Sequence, residues 1–563
     1  MSHASFLRAI RNTPEDDTAR LVYADYIEEE GDPTRAEFIR IQIALAQLSE
    51  YDPQRPALED REHELLAEHE QHWLGVPPDA RGLTEWEFDR GFVNEVAATP
   101  YFMLGPGTDL CGAHPIRRWR VQGWDDNMPQ DLLDAGQRGW FRQLEVVDLV
   151  GWYQTIGELE RFLTRASFER LRELNLMNLP GLDDLPDILA RAPFRESLKT
   201  LRCGGGYPGE LGRLGTRDLL QALSSTRLKG LSLPACTFTA QELRELLVGN
   251  CCRELESLDI RDNPIEPDGW EAFQVAQCRL NELDLSGTPL GGIALENVLR
   301  WASVSELRTL ELNRCGSAMA NIRALAASRF WMQAEELRMH TGTIPERALE
   351  PLFGSSGPSG LRILDVSQNY FRDAGVLGLC GALWAGSLTW LGLSQNYLTN
   401  EAARTIAACG RFQRLRTLHL SNNNPALEEA EPHEQLTDVG LRALAESPSL
   451  ANLRLLMLSG TDITESGVEM LLNGEHWRLN GLGLGSGNFS SSVVEILARS
   501  PQLARLGWLD LSQNFRSLRG DALLPLAESE YLSPLLELDI RGCSPDARVR
   551  DVLRQRLGHR LSE

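Results

Sequence analysis

The sequence predicts an α/β solenoid: a horseshoe of stacked coils, each with one short strand and one helix. The strands form an inner parallel β-sheet and the helices an outer layer, behind a small all-α N-terminal domain. Three observations predict it. The phrase L-x-x-L-x-L-x-x-N stands at Leu361–Asn369 (LRILDVSQN) and again 27 residues later at Leu388–Asn396 (LTWLGLSQN). Looser copies recur from Ile116 almost to the C-terminus. An amphipathic segment follows each copy, as in Glu242–Val248 (ELRELLV) and Leu436–Ala445 (LTDVGLRALA).

Strand geometry explains the phrase. Side chains alternate along a strand, so the leucines at positions four and six enter the core while positions three, five and seven face outward on the open side. The Asn at position nine closes the turn, where its amide pairs with backbone groups left over at the bend. Cys or Thr fills that place in some copies, with a weaker donor.

Composition narrows the function. A chain of 563 residues with 42% hydrophobic content can bury an ample core. It contains no run of about 18 apolar residues that would suggest a membrane span. The N-terminus, MSHASFLRAIRNTPEDD, lacks the basic head and apolar stretch of a secretory signal, which predicts a soluble cytoplasmic protein. The ten cysteines are scattered, with no C-x-x-C pair. Neither a disulfide framework nor a structural zinc site is expected, and no cofactor or metal is implied. Three of them, Cys236, Cys315 and Cys543, stand at position nine. A formal charge of −24 argues against nucleic acid and anionic membranes, and for a protein partner with a basic surface.

Residues 1–48 read as a helical unit. Ser2 or Ser5 can cap a first helix that Asn12-Thr13-Pro14 stops. Asp16 or Asp17 opens a second with Leu21, Ala24, Tyr26 and Ile27 on an apolar face, and Asp32-Pro33 starts a third. The run Phe6–Gln42, F-L-x-A-I-x-x-x-P-E-D-D-T-x-R-L-V-Y-A-D-Y-x-E-E-x-G-D-P-x-R-A-E-F-I-R-x-Q, resembles the repeat-companion domain of planctomycetes and myxobacteria. That resemblance implies a bacterial helical module that often precedes repeats, and brings no catalytic residues with it. Asp25, Glu37 and Arg40 read as surface ion pairs rather than a site.

Residues 49–115 read as a linker, a helix bearing His63, His69 and His72, and a strand over Trp86–Val96 that caps the solenoid. The histidines lack H-E-x-x-H spacing and read as solvated. Residues 116–563 carry about sixteen phrases, starting at Ile116, Leu144, Leu171, Leu198, Leu228, Leu255, Leu280, Leu307, Ala334, Leu361, Leu388, Leu415, Leu453, Leu479, Leu506 and Leu535. This segment resembles leucine-rich repeats of the ribonuclease-inhibitor subtype, from the period of about 27 with a helix in every coil. Three irregularities interrupt it. An acidic insertion, Pro425–Gln435, follows Asn423-Asn424. Position nine of the first four copies is Trp124, Trp152, Leu179 and Gly206. Gly481, Gly483 and Gly485 leave one strand's open face bare, which either admits a partner's backbone or marks a weak repeat.

The open-face positions supply the candidate partner-binding residues: Asp259, Arg261, Glu282, Asp284, Glu311, Arg338, His340, Asp365, Trp390, Trp508 and Asp510. Arg118, Arg120, Gln122, Asn313, His419, Glu537 and Asp539 occupy equivalent places. Like charges on neighbouring strands repel, so Asp259, Asp284 and Glu311 predict an acidic patch for a basic partner. Trp390 and Trp508 predict aromatic anchors. No Ser-His-Asp set, metal cluster or nucleotide loop is present; Gly204–Gly209 lacks the G-K-[ST] ending of a phosphate loop. The expectation is a non-enzymatic scaffold that binds a protein on the concave face. The alternative is a regulator of another enzyme, such as a ribonuclease inhibitor or GTPase activator, by analogy of fold.

Overall fold

The computed structural model describes residues 2–563 except 50, 51, 53, 78, 79, 124–127, 152–154, 180–183, 206–215, 302, 317, 318, 355, 356, 424–434, 475, 476 and 488. Trp124, Trp152, Gly206 and all of the acidic insertion except Gln435 lie outside the described residues. The chain forms two compact units, Met1–Ile265 with Val275–Arg279, and Glu266–Gln274 with Leu280–Glu563.

The first unit opens with helices α1 (His3–Asn12), α2 (Asp17–Glu29) and α3 (Pro33–Gln47). Asp16 accepts the Thr18 N–H at 2.9 Å, and Asp32 accepts that of Arg35 at 3.0 Å, so both caps satisfy free helix-end donors. Ser2 holds the cap position of α1, but its hydroxyl bonds Ser5 at 2.9 Å instead of the backbone. The buried stripe of α2 is Arg20, Tyr23, Ala24 and Ile27, while Leu21 is 38% exposed. The apolar face is rotated because Tyr23 packs in one core with Leu7, Ile10, Ile39 and Phe92. Arg40 pairs with Asp25 and Glu28, each at 2.6 Å, and Glu37 with Arg61 at 2.9 Å, all near the surface. Helix α4 (Arg55–Leu74) ends at Gly75 in the left-handed region.

Alternation over Trp86–Val96 predicts one strand, yet the chain makes two. β1 (Leu83–Asp89) and β2 (Phe92–Ala98) pair antiparallel around Arg90 and Gly91, whose φ values are 50° and 86°. Two successive left-handed residues form the two-residue turn that matches strand twist. The hairpin tip is clamped by the helical unit. Gly91 N–H donates to Gln42 Oε1 at 2.6 Å, Gln42 Nε2 donates to the Phe88 carbonyl at 3.2 Å, and Arg35 donates to the Gly91 carbonyl. A Cβ on Gly91 would stand 2.4 Å from Ile39 Cγ1 and 2.9 Å from its Cα, so only glycine fits. The Arg35 guanidinium lies 4.8 Å from the Trp73 ring centre and 5.3 Å from that of Phe38, a cation held among rings. Burial lowers its pKa to about 10. His114 accepts the Val93 N–H at 3.1 Å, and burial followed by Arg35 lowers its pKa to about 3.

Each of the predicted phrases forms a strand at its third to fifth positions. In the first unit β2 pairs parallel with Arg118–Val121, and the ladder runs on to Ser257–Asp259. In the second unit Glu282–Asp284 begins a parallel ladder that ends with Glu537–Asp539 and Leu561–Ser562. The position-four leucines Leu310, Leu337 and Leu391 are fully buried. Most coils return through a short α-helix, for example Ala240–Val248, started by a Thr239–Glu242 capping box. The coil of Leu255 departs from that expectation: its return segment Pro267–Val275 is a 3₁₀ helix. No helix among the described residues is long and apolar enough to cross a membrane.

The asparagines at position nine tie coil to coil. Asn396 Nδ2 donates to the Val366 carbonyl of the preceding coil at 2.8 Å, while its Oδ1 accepts the Phe371 N–H at 3.2 Å. Where Cys315 or Thr461 replaces Asn, one donor remains: Cys315 Sγ to the Leu285 carbonyl at 3.1 Å, Thr461 Oγ1 to that of Leu458 at 2.6 Å.

Asn396→Ala leaves buried backbone groups unpaired and should lower unfolding free energy by about 2–3 kcal/mol, read by denaturant titration. Gly91→Ala forces Cβ into Ile39 and should destabilise the first unit by about 2 kcal/mol or more. His114 is depressed below its unfolded value, so it favours the folded state above the ordinary histidine pKa and withdraws that support on acidification. Going from pH 7 to pH 4 should cost about 3 kcal/mol through His114 alone. The pH profile of His114→Gln should lack that component.

Candidate functional site

The candidate residues fall in both units. Asp259 and Arg261 lie on the sheet face of the first unit, and the other nine on that of the second. In the second unit register places Ile363, Trp390, Thr417, Leu455, Gly481 and Trp508 side by side on successive strands. Two strand positions further along, Asp365, Gly392, His419, Met457, Gly483 and Asp510 form a second row. The centre of the face is therefore an apolar floor, about 24 Å across at the usual strand spacing.

Local packing explains the floor. A Cβ at Gly392 would stand 2.7 Å from the Trp390 ring, so the indole lies across this glycine. The Arg338 guanidinium is 5.2 Å from the Trp390 ring centre, and the His419 ring is 4.7 Å away on a neighbouring strand. Burial lowers the His419 pKa, Asp365 opposes that shift, and Arg338 adds to it. The buried His419 Nε2 has no hydrogen-bond partner in the protein among the described residues.

The glycine strip is not bare. Gly481, Gly483 and Gly485 are buried, because neighbours lean over them. A Cβ at Gly481 would meet Leu455 at 2.4 Å, and one at Gly483 would meet the Met457 methyl at 2.7 Å. Across Gly485, Ser459 Oγ reaches Asp510 Oδ2 at 3.2 Å, a hydrogen bond that spans an intervening strand. Of the two readings of this strip, the one that admits a partner's backbone does not hold, because neighbouring side chains already lie over it.

The acidic residues divide into two kinds. Asp259, Asp284, Asp365 and Asp510 each accept the N–H two residues ahead, at 3.1, 2.8, 2.9 and 2.8 Å respectively. These carboxylates close the turn after the strand, which accounts for their recurrence at position five. Asp365 and Asp510 are also buried. Glu282 is exposed, and Glu311 and Glu336 half-buried, with Arg338 within 3.9 Å of Glu311 and bonded to Glu336. His340 pairs locally with Thr341 at 2.9 Å. Asn313, expected on the open face, is buried and accepts the His340 N–H at 3.0 Å.

Reading by charge and aromaticity missed Leu455 and Met457. Their register placed them on the face, but their residue type reads as core. It also missed Tyr370 and Tyr397, which follow the position-nine asparagines. Their rings stack 5.4 Å apart with 6° between planes, and both are exposed. No group of three or more His, Cys, Asp or Glu side chains among the described residues could hold a metal ion.

A family model described as Leucine Rich repeat matches residues 251–273. No curated protein matches the chain. Among solved structures, the Rad7–Elc1 complex of yeast is 15% identical with a TM-score of 0.43, covering 81% of this chain and 94% of that one. An internalin, InlF, from Listeria monocytogenes is 18% identical with a TM-score of 0.35, covering 62% and 87%. The TLR13–ssRNA13 complex is 16% identical with a TM-score of 0.34, covering 83% and 68%. Likenesses this distant say nothing about ligand or activity.

Substituting Gly481 tests the packing of the floor. Gly481→Val should push Leu455 aside and destabilise the second unit by about 1–3 kcal/mol, as overpacking does, read by denaturant titration of the full chain.

Proposed function

We propose that this chain is a non-enzymatic binding scaffold whose second unit holds a partner protein on its open sheet face. The observation that carries this reading is the set of half-exposed side chains Ile363, Trp390, Leu455 and Trp508 in one row and Met457 in the next. A contiguous apolar patch rimmed by charge is costly to keep in water and marks protein-binding surfaces. Tryptophan anchors supply much of the affinity at such surfaces.

The flanks favour a partner that is basic around an apolar centre. Glu282, Asp284, Glu311 and Glu336 outnumber Arg338 on one side, and Asp510, Glu537 and Asp539 outnumber Arg541 on the other. A half-exposed sheet face does not provide the dry, preorganised site that catalysis uses. In the same reading residues 1–48 brace the hairpin that caps the solenoid: Arg35 and Gln42, from the segment that resembles the repeat-companion domain, hold the Gly91 turn.

Affinity capture with the wild-type chain, Trp390→Ala, Leu455→Glu and a control on the helical side, Leu383→Glu, tests the reading. One prey should be retained by wild type and control and lost with both face variants. With that prey purified, Trp390→Ala should weaken Kd by about 30-fold or more, the ~2 kcal/mol of an aromatic anchor. Glu282→Lys with Glu311→Lys should slow association and flatten its salt dependence; Asp284 is spared because it closes a turn. A prey set unaffected by the face substitutions overturns the proposal.

A further inference from the structure

We propose that Cys380 and Cys409 are a reversible redox couple, two thiols on successive coils that a peroxide converts into an intramolecular disulfide. Cys380 stands near the end of the helix Arg372–Gly381, and Cys409 directly follows the helix Asn400–Ala408. Cys409 Sγ lies 4.0 Å from the Cys380 carbonyl, and Cys380 Sγ lies 3.8 Å from the carbonyl of Thr405, one helical turn before Cys409. Arg411 Nε donates to the Cys380 carbonyl at 3.2 Å, which fixes a guanidinium beside the pair.

The two sulfurs play different parts. The neighbouring Cys380 thiol, and with it the Arg411 guanidinium, lowers the Cys409 pKa against the opposing effect of burial. Cys380 is pushed the other way. Cys380 is half-buried and Cys409 buried, and the residue after each, Gly381 and Gly410, is exposed with nothing within 4 Å of where a Cβ would stand.

The other thiols give an internal contrast. Cys203 and Cys236 also neighbour each other, but burial pushes both up, Cys236 to about 12, whereas Cys409, buried to a similar degree as Cys236, is lowered. Cys111, Cys278 and Cys315 are likewise raised by burial.

The chemistry balances in two steps. The Cys409 thiolate attacks one oxygen of hydrogen peroxide; the O–O bond breaks, and with one proton taken up the products are a sulfenic acid and water. The Cys380 sulfur then displaces hydroxide from the Cys409 sulfur, and its own proton completes the second water. Two electrons pass from the thiols to the peroxide, and a dithiol restores the reduced pair. The bond closes a loop that contains Trp390 and Tyr397.

The test uses the full chain, reduced and then exposed to hydrogen peroxide, alkylated after unfolding, and mapped by non-reducing mass spectrometry. The expected result is a peptide joining Cys380 to Cys409 that dithiothreitol abolishes, with Cys203 and Cys236 alkylated. In Cys380→Ser a dimedone adduct should accumulate at Cys409. Full alkylation of both positions in the oxidised wild-type chain, or over-oxidation of Cys409 without the cross-link, overturns the proposal. The map is read without any partner, so its outcome is separate from that of the capture experiment.

Discussion

Stacking coils creates a standing problem at every bend: the backbone leaves the sheet and its N–H and C=O groups lose their ladder partners inside the core. Everything else in the molecule depends on how that is solved. The buried carboxamide is the main solution, because one group donates twice and accepts at the same time. Asn423 shows the economy of it. Its amide reaches the Leu393 carbonyl of the coil before at 3.0 Å, and its oxygen takes the Asn396 N–H at 2.7 Å. Cys and Thr answer only the donor half, so coils that use them lean on packing instead. The aspartates at position five solve the same problem on the other side of the bend, by accepting a backbone N–H.

That second role changes what negative charge on the face means. A carboxylate fastened to its own turn serves the fold first, and its recurrence needs no partner. Glu282 and Glu537, at position three, are exposed to solvent. The separation explains why the anionic character belongs to the flanks, while the centre is built of indoles, a leucine and a methionine resting over glycines.

The strands were legible because a two-residue alternation and a fixed period leave one register in which the leucines are buried. The caps Asp16, Asp32 and Thr239 were legible for the same local reason. The hairpin at Arg90-Gly91 was not, since the strong dipeptide signals for such turns are absent and alternation continues through it. The face was half legible: Trp390 and Trp508 stood out by type, but Leu455 and Met457 looked like core until strand direction assigned them outward. The fate of the glycines could not be read at all, because a bare strand looks open until the neighbours' side chains are placed over it. The cysteines misled in the opposite sense. Counting spacings found no framework, yet Cys380 and Cys409, 29 residues apart, meet because one coil advances about that far.

The helical N-terminal unit and the thiol pair make one point about solenoids. A coil is stabilised only by its neighbours, so an end coil needs a substitute neighbour and an inner coil can be strengthened locally. At the start of the chain the substitute is the hairpin, and α3 grips its tip through Arg35, Ile39 and Gln42; a guanidinium caged by rings serves here because it can both hydrogen-bond a carbonyl and pack as an apolar surface. Within the second unit, a covalent link between Cys380 and Cys409 would bind two adjacent coils on the side away from the sheet. The strand between them carries Trp390, so tightening that loop restricts the indole's support without touching its exposed surface. In a structure whose stability is a sum of neighbour terms, such a link would act on the two coils it joins.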